Sequence, residues 1–545
     1  MRKRKILSLF IATIMLLSIF LSGCVNVQKS GENSLPAGNE EKKTEDSNLE
    51  GNLYKTGLPI VKDKISIRIA FSPHSANRTP FENMEITKVL EERTNIHIEF
   101  EQIPSGQGSE KLNIMVASGD LPDALMRIVS NDVLINNYDA GLFLPLNDLI
   151  DKWAPNIKKM IADPMVKSQL TLPDGKIYST PAGELAPWSQ VSQYLYVNKI
   201  WLDNLGLDLP KTTEEYMNVL KAVKEKDADG DGKTDDEIPL SMVGVDNFRT
   251  LLGAFGIACE SDYIYIRNGK VGYAAATENF RKALEYFHEL YAEGLIDSES
   301  FAQDIQQLYA KAKSGDLFSF NQFLNTTVAG PELGPNFQHL LPLIGPDGNQ
   351  EYSQTILGVS HGLVLSAKTK YADAIIRWVD YLNTDTTTML EVCAGLESQG
   401  VWTNLGNGRY LQNSNKVPEG LNWIEWFVNT AWSTTSAPVY LGPDFIAKNR
   451  SLEGDEITAN ALKRALEVLE FKLDEVMPIV MIDQDISKEL ALINTELSLL
   501  VRNSAANFII NGIDDAQWND YLNKLKQAKY ERYVELKQNI YDSKK

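Results

Sequence analysis

Cysteine and histidine are scarce in this chain, which has three cysteines and five histidines among its 545 residues. So low a cysteine count excludes a disulfide-rich scaffold. Cys259 and Cys393 lie in apolar helical contexts, so we expect two buried thiols that pack as small apolar residues. A single disulfide between them is the alternative. The sequence also lacks zinc-type Cys/His spacing, a phosphate-cradling P-loop and an H-E-x-x-H motif, so none of these chemistries is indicated.

Long apolar runs are limited to residues 6–21, which follow four cationic residues. A cationic start and an apolar stretch shorter than the ~20 residues that span a bilayer are typical of a secretory signal. The stretch ends in Leu21-Ser22-Gly23-Cys24, which resembles the lipobox of bacterial lipoproteins. The resemblance implies a signal peptide over 1–23 and acylation of Cys24, which would anchor the protein to the outer face of the cell membrane. An ordinary cleaved signal with an incidental cysteine is the alternative.

Cationic residues are also in deficit. The formal net charge is −20, and it becomes about −24 when residues 1–23 and their four cations are removed. Nucleic acid requires basic surface, so a nucleic-acid partner is excluded. Flat binding to anionic lipid is excluded for the same reason. An acidic surface mainly favours solubility and does not identify a ligand. A net-negative body does not favour acidic glycans, but a local arginine such as Arg127 could still receive a uronate.

Large apolar residues are nearly absent from 24–62, which predicts a flexible tether. The remaining chain is too long for one compact core and should divide into at least two domains. Its start alternates apolar and polar residues over 65–70, has helical spacing over 81–93 and alternates again over 96–100, which predicts a parallel strand-helix-strand unit. From about residue 487 onward the pattern is helical.

Four segments carry a resemblance to a known family. They begin with ITKVLEERTNIHIEF and KLNIMVASGDLPDAL, continue with the stretch from YLYVNKIW to DEIPL, and end with YLNKLKQAKYERYVELKQNIYD. In this order they resemble extracellular solute-binding proteins of bacterial carbohydrate ABC transporters, of the oligosaccharide-binding lipoprotein type. The resemblance implies an α/β, two-lobe, periplasmic-binding-protein-like fold with a hinge, an interlobe cleft and a helical C-terminal region. It also implies discontinuous lobes, with 63–185 and 356–395 in the first lobe, and 186–355 and mainly 396–545 in the second.

The function that the resemblance implies is capture of an oligosaccharide in the cleft and its delivery to the permease of an ABC importer. We expect a monomer that binds its ligand without covalent chemistry. The alternatives are a secreted carbohydrate-active hydrolase or lyase, a binding protein for a peptide, and a sensor subunit. Residues 358–362 match the G-x-S-x-G nucleophile elbow, but an apolar strand follows the motif where the elbow requires a helix.

Tryptophan and tyrosine are well supplied, and their rings suit the apolar C–H faces of sugars, while amides and carboxylates suit the hydroxyl groups. For each aromatic residue, core packing is the alternative, and we assign Trp153 and Trp201 to the core because they lie in apolar helical stripes. The predicted ligand-binding residues are Asn131, Glu184, Trp188, Asn321, Trp402, Trp423, Trp426 and Trp432.

An acidic loop over 227–238 has Asp at positions 1, 3 and 5 and Gly at position 6, as a calcium loop requires. Position 12 is Ile238 and not a bidentate Glu, and Glu237 is one residue more than the resembling family has before the Ile-Pro pair. The alternative is a solvated acidic turn. In the resembling family an acidic pair at positions 9 and 10 closes the site. The resemblance therefore implies one structural Ca²⁺ held by Asp227, Asp229, Asp231, the Lys233 carbonyl, Asp235 and Asp236, with Glu237 as the alternative to Asp236.

Overall fold

Two β-sheets organise the part of the chain that the computed structural model describes, residues 47–543. One sheet has six strands and is here called the first-lobe sheet; the other has four strands and is called the second-lobe sheet. Each sheet has its own apolar core, one containing Ile67 and Leu363, the other Val197 and Phe318. Since burial of apolar side chains is the main driving force of folding, these cores define two lobes.

The first-lobe sheet is mixed. Strands Ile65–Phe71 and Ile96–Gln102 are parallel and are joined by helix Glu85–Thr94, so the predicted strand-helix-strand unit is confirmed. Strand Ser360–Leu365, here called the return strand, is antiparallel to its two neighbours. From edge to edge the order is Tyr440–Leu441, Ser179–Glu184, Ser360–Leu365, Ala124–Met126, Ile65–Phe71 and Ile96–Gln102.

The second-lobe sheet is shorter and buried along most of its length. Strand Tyr194–Asn198 is antiparallel to both of its neighbours, Phe337–His339 and Leu317–Gln322. Strand Ile238–Ser241 pairs in parallel with Leu317–Gln322 and forms the other edge. Every residue of Tyr194–Asn198 is buried, which matches a strand that is rich in Tyr, Leu and Val and covered on both faces.

Helices and three small sheets cover the two larger sheets. The small sheets pair Leu49–Glu50 with Leu53–Tyr54, Ile264–Arg267 with Lys270–Tyr273, and Trp402–Gly406 with Arg409–Gln412 and Arg450–Ser451. The other helices are Gly108–Ser118, Asn131–Asn137, Asn147–Trp153, Pro155–Ile161, Pro164–Leu170, Lys199–Leu205, Thr213–Glu225, Arg249–Leu252, Glu278–Ala292, Ile305–Ser314, Asn325–Leu333, Ala372–Leu382, Thr386–Ala394, Trp423–Thr430, Ser433–Ser436, Phe445–Asn449, Glu456–Leu469, Gln484–Asn511, Asp515–Gln527 and Tyr530–Asp542.

The C-terminal region is helical, as predicted, and packs on the second lobe. Helix Gln484–Asn511 buries Leu490, Ile493, Leu497 and Val501, whose spacing of three or four residues puts them on one face. Among residues 47–543, no helix is both long enough and apolar enough to cross a membrane. Tertiary packing on the second-lobe core therefore accounts for this apolar face.

The predicted tether over 24–62 is too long at its C-terminal end. Leu53, Ile60 and Val61 are buried in the first-lobe core, with exposures of 7%, 0% and 2%. The few apolar residues of this stretch are clustered, so they bury together even though the average composition is polar. The folded body therefore begins by residue 48, whereas residues 24–46 lie outside the described part of the chain.

The expected assignment of 396–545 mainly to the second lobe also needs correction. Strand Tyr440–Leu441 pairs with Ser179–Glu184 in the first-lobe sheet, and Trp432 lies in the first-lobe core. Helix Glu456–Leu469 packs with second-lobe residues. A two-residue edge strand has too little periodicity to be recognised in the sequence.

The two cysteines of the described region are confirmed as free, buried thiols. Cys259 is buried in the second-lobe core and Cys393 in the first-lobe core, so they are in different lobes and do not form a disulfide. Burial raises the pKa of Cys259 to about 12, which keeps the thiol protonated.

A buried acidic cluster attaches the C-terminal helices to the second lobe. The Met477 amide donates to Glu260 Oε1 at 3.0 Å, and Asp262 accepts from the Tyr533 hydroxyl at 2.7 Å and pairs with Lys537 at 2.8 Å. Burial, together with the nearby Asp262 carboxylate, raises the pKa of Glu260 to about 7. Glu260 therefore holds a proton more tightly in the folded protein than in the unfolded chain.

We predict that Glu260 makes stability fall as the pH rises. Its stabilising contribution is complete below about pH 4.5 and is lost as the pH passes about 7, by roughly 1–3 kcal/mol. Glu260→Gln stays neutral and keeps an acceptor for Met477, so its melting temperature relative to wild type should be higher at pH 8 than at pH 5. The exposed Glu82→Gln is the control, and an equal difference at both pH values for Glu260→Gln would contradict the assignment.

Candidate ligand-binding cleft

Several strands of the first-lobe sheet begin or end along the same side of the sheet, the side formed by strand ends and not by an outermost strand. This side is here called the cleft edge. The parallel strands Ile65–Phe71 and Ala124–Met126 end there. Because the return strand is antiparallel, it begins at the same edge, with Ser360 opposite Ala182. In open α/β sheets, ligands bind at the carboxyl ends of the parallel strands, so this edge is the place to look for a site.

Three segments connect the lobes, and two of them run side by side at the cleft edge; the third lies between strand Tyr440–Leu441 and helix Glu456–Leu469. Residues 185–193 lead from the first-lobe sheet to the second, and residues 351–359 lead back. The Thr355 amide donates to the Gln190 carbonyl at 2.8 Å, which joins the two segments. Gln169 fixes the second segment to the first lobe, because its side-chain oxygen accepts from the Val359 amide at 2.7 Å. This pair of segments occupies the position of a hinge.

A pocket of about 340 Å³ opens at the cleft edge. Within it, the imidazole of His361 lies between the Ser179 hydroxyl, 2.6 Å from Nδ1, and the Asn131 side-chain oxygen, 2.8 Å from Nε2. Burial, reinforced by Arg127, lowers the pKa of His361 to about 4, so the ring is neutral. The oxygen of Asn131 accepts from Nε2–H, and Nδ1 therefore accepts from Ser179. The lining residues are Arg127, Val129, Ser130, Asn131, Gly358, Val359, Ser360, His361 and Ile479.

Arg127 borders this pocket in an uncommon conformation. It follows strand Ala124–Met126 with a φ of 62°, in the left-handed region, where its amide donates to the Gly362 carbonyl at 2.9 Å. Its Nε donates to the Thr435 carbonyl at 3.2 Å, while Nη1 is shielded from water and has no hydrogen-bond partner among residues 47–543. Burial lowers the pKa of Arg127 to about 10, which still leaves the guanidinium charged at neutral pH.

Three of the five predicted ligand tryptophans are half-buried and lie near the cleft edge. Trp188 is in a short turn within the first crossing segment. Trp423 and Trp426 are on helix Trp423–Thr430, with their rings 5.8 Å apart edge to face. This helix lies beside the loop after strand Ile65–Phe71, because the Asn77 side chain donates to the Val428 carbonyl at 2.6 Å. These tryptophans stay candidates for ligand contact.

The other two tryptophans are core residues, so the expectation that they line the cleft is wrong for this conformation. Trp402 is 2% exposed and its indole N–H donates to the Gly395 carbonyl at 2.6 Å. Trp432 is 1% exposed, stacks on Phe81 and donates to the Thr87 hydroxyl at 2.9 Å. Both indole N–H groups are satisfied by protein acceptors, as a fully buried tryptophan requires.

Glu184 and Asn321, which were also predicted to bind the ligand, do not line the open pocket. Glu184 borders an internal cavity of about 30 Å³ together with Arg450, and burial raises its pKa. Asn321 is 0% exposed, and its side-chain nitrogen donates to Gln193, to the Asn247 carbonyl and to Thr250 at 2.6–2.9 Å. Its role in this structure is to hold the second-lobe loops together. Asn131 alone among the predicted polar residues lines the pocket.

The acidic loop gathers carboxylates on the second lobe. Oxygen atoms of Asp227, Asp229 and Asp231 lie within 4.8 Å of one another. The Gly230 and Gly232 amides donate to Asp227 at 2.8 and 3.0 Å, which folds the loop around that side chain. Burial, together with the neighbouring carboxylates, raises the pKa of Asp229.

The second half of the loop differs from the predicted ligand set. Asp235 is exposed, whereas Asp236 and Glu237 each have one buried carboxylate oxygen without a hydrogen-bond partner among the described residues. The other oxygen of Glu237 accepts from the Ala228 amide at 2.9 Å, so the extra residue folds back onto the start of the loop. The Lys233 amine lies 2.5 Å from Asp231 and 2.8 Å from Asp236. Buried carboxylate oxygens normally have a partner, and oxygens of this kind are the ligands that hard cations prefer.

The G-x-S-x-G motif has a packing explanation. A Cβ on Gly358 would lie 2.9 Å from Ile479 Cδ1, and one on Gly362 would lie 2.6 Å from the Thr180 hydroxyl. The return strand begins within the motif, at Ser360, continues beyond it, and has an irregular register between His361 and Val364. Both glycines therefore permit close approach at the cleft edge, and the expected strand after the motif is confirmed.

Arg127, His361 and Ser179 are not among the predicted ligand-binding residues, although the sequence had suggested Arg127 as a residue that could receive a uronate. Two signals were available. Arg127 directly follows the apolar residues 124–126, and the residues after a parallel strand lie where ligands bind in sheets of this type. His361 lies in the motif that was weighed only as a nucleophile elbow. Nothing in the sequence near Ser179 predicts its contact with His361, because the two residues are 182 positions apart and are brought together by the pairing of their strands.

Two lobes joined by paired crossing segments, with a polar pocket at the cleft edge, form the architecture of a solute-binding protein. The chain belongs to the family of bacterial extracellular solute-binding proteins, whose pattern it matches over residues 76–389. This membership confirms the two-lobe fold and the solute-binding class that the sequence predicted.

One relative in the family is similar over almost the whole chain. The fructooligosaccharide ABC transporter substrate-binding protein FusA of Streptococcus pneumoniae serotype 4 is 29% identical over 506 residues, which are 88% of this chain and 90% of FusA. The structure of FusA with kestose superposes with a TM-score of 0.78 at 27% identity, covering 88% of this chain and 99% of FusA. A structure described as a FusA EF-hand mutant with fructo-nystose gives 0.76 at 26% identity, over 88% and 99%.

We predict that the buried and half-buried tryptophans differ in their effect on stability. Trp432→Ala removes a stacked ring and a satisfied indole from the core and should cost about 3–5 kcal/mol. Trp426→Ala, on the half-buried helix, should cost about 1 kcal/mol or less. Urea unfolding midpoints measure the difference. Equal midpoints for the two variants would show that Trp432 is not a core residue.

Proposed function

We propose that this protein captures an oligosaccharide in the interlobe cleft outside the cell and delivers it to the permease of an ABC importer. The observation that carries the proposal is the open polar pocket of about 340 Å³ at the cleft edge, beside the crossing segments. Half-buried Trp188 lies in a crossing segment, and Trp423 and Trp426 lie on the helix beside the loop after strand Ile65–Phe71, so their rings are candidate stacking faces for a sugar. FusA, similar over 88% of the chain, is described as binding a fructooligosaccharide, which supports a sugar-chain ligand.

The location that we propose follows from the function. An importer receives its ligand outside the membrane, and the lipobox-like Cys24 would hold the binding protein there as a lipid-anchored monomer. Residues 1–46 lie outside the described part of the chain, so this anchor rests on the sequence pattern. Segment 24–46 would then be the tether between the lipid and the folded body.

Catalysis is disfavoured by the geometry of the Ser179–His361–Asn131 chain. The order of these groups is similar to that of a nucleophile, a base and an orienting amide. Ser179, however, is 0% exposed and lies inside the first-lobe sheet, so a substrate carbon has no access to its hydroxyl. The low pKa of His361 also makes the ring a poor base at neutral pH. These groups are better suited to orienting the amide of Asn131.

Ligand binding should close the cleft, since the paired crossing segments can bend together while each lobe stays intact. A panel of glycans that includes fructans and plant and bacterial oligosaccharides is first screened for binding. We predict that addition of a glycan that binds reduces the radius of gyration measured by X-ray scattering. Trp188→Ala and Trp426→Ala should each weaken the affinity for that glycan by about tenfold, as expected for loss of a stacking ring. The buried Trp153→Phe serves as a control.

The transport proposal fails if no member of the panel binds. It also fails if the protein releases products from a polysaccharide, which would favour the hydrolase or lyase alternative. Peptide binding in the same titrations would replace the sugar ligand and leave the fold and family unchanged.

We further infer that the acidic loop binds one structural Ca²⁺. Asp227, Asp229 and Asp231 supply oxygens close together, and the unpartnered oxygens of Asp236 and Glu237 suit a hard cation. Asp235, exposed and outside the cluster, is the weakest member of the predicted ligand set. The description of a FusA structure as an EF-hand mutant supports a loop of this type in the family.

Removal of calcium should lower the stability of the second lobe. At a Ca²⁺ concentration of about 100 times Kd, the stabilisation is about 2.7 kcal/mol. A chelator should therefore lower the melting temperature of the wild type, and Asp229→Asn should lose most of this sensitivity. Asp235→Asn is the matched control and should keep it. A chelator without effect, together with no calorimetric Ca²⁺ binding, would identify the loop as a solvated acidic turn.

A further inference from the structure

The guanidinium of Arg127 has no ion-pair partner within residues 47–543. One of its N–H groups, on Nε, donates to the Thr435 carbonyl, and Nη1 has no partner among the described residues. No acidic side chain lines the pocket that Arg127 borders. A charge that is largely removed from water normally has an ion-pair partner, because desolvation disfavours the charged form.

The neighbouring groups in the pocket are also hydrogen-bond donors. The side-chain oxygen of Asn131 is taken by His361, so the amide nitrogen is the group that faces a ligand. Ser179 holds the other side of the ring and thereby fixes the tautomer that sets this orientation. Ser130 and Ser360 add hydroxyl groups at the rim. The pocket thus offers a fixed cation and a fixed amide donor, without a fixed anion.

The geometry points to a sugar carboxylate as the group that fills this pocket. We propose that the ligand is an oligosaccharide with at least one uronic acid residue, whose carboxylate pairs with Arg127 and accepts from the Asn131 amide. This inference rests on the proposed function and specifies its substrate class. A neutral hydroxyl can accept a hydrogen bond from these donors, but only an anion supplies the missing charge, and a carboxylate matches the planar fork of a guanidinium.

The negative net charge of the protein does not oppose this assignment. Charges on the surface are screened beyond about 8 Å at physiological ionic strength. The affinity for an anionic group is set by the groups in contact with it, which here are one cation and several N–H and O–H donors. Overall charge mainly affects the rate of encounter.

The test compares matched pairs of ligands. Tetrasaccharides of galacturonate, of guluronate or mannuronate, and of glucuronate are titrated by calorimetry beside their carboxyl-reduced forms, which keep the linkage and length but lose the charge. Wild type should bind at least one uronate form 10- to 100-fold more tightly than its reduced form. Arg127→Gln should remove this preference, and Arg127→Lys, which keeps the charge but not the fork, should retain part of it.

Arg409→Gln is the control for net charge, because Arg409 is exposed on the small sheet that contains Trp402–Gly406. It should keep the full preference of the wild type. The inference is overturned if the reduced forms bind as tightly as the uronates, or if Arg127→Gln keeps the preference. Binding of neutral glycans alone overturns the carboxylate and leaves the transport proposal intact, whereas absence of binding in both classes overturns both.

Discussion

The return strand is the constraint on which this architecture depends. It enters the first-lobe sheet between Ser179–Glu184 and Ala124–Met126, so the first lobe is complete only after the chain has built most of the second. Its start supplies the cleft edge with His361, and its carbonyl at Gly362 holds Arg127 in the left-handed region. The same strand therefore couples the lobes and positions the pocket. A cost of this arrangement is non-local pairing, which slows folding relative to local contacts.

Much of the fold followed from periodicity, because long elements repeat the signal often enough to be read. Helix Gln484–Asn511 and the unit from Ile65 to Gln102 were predicted this way. Short elements could not be predicted in the same way. Strand Tyr440–Leu441 has only two residues, and the hairpin at 49–54 lies in a mainly polar stretch. Burial of tryptophan could not be predicted either. Trp402 begins a short strand in a mixed sequence and is buried, whereas Trp426 lies in an apolar helix and is only half-buried, so tertiary packing decides burial.

The candidate site was predicted less completely than the fold. Asn131 and the acidic loop were found because each carries a local pattern, a position after a strand or a fixed spacing of carboxylates. The contact of His361 with Ser179 is set by register between strands, and a register shift of one residue would point the ring to the opposite face. Such register is invisible in a single sequence, so the pocket emerged only from the folded chain.

The acidic loop and the pocket beside Arg127 each have an incompletely balanced charge, negative in the loop and positive in the pocket. In the acidic loop, several carboxylates face one another, and among the described residues the Lys233 amine pairs with two of them, so the proposed Ca²⁺ would complete the balance. In the pocket, one guanidinium is surrounded by donors, so an anion completes it. The loop is made of consecutive residues, so the proposed cation would stabilise a local fold. The pocket is made of distant segments around a hinge, and a ligand that completes its charge also joins those segments, which links recognition to closure.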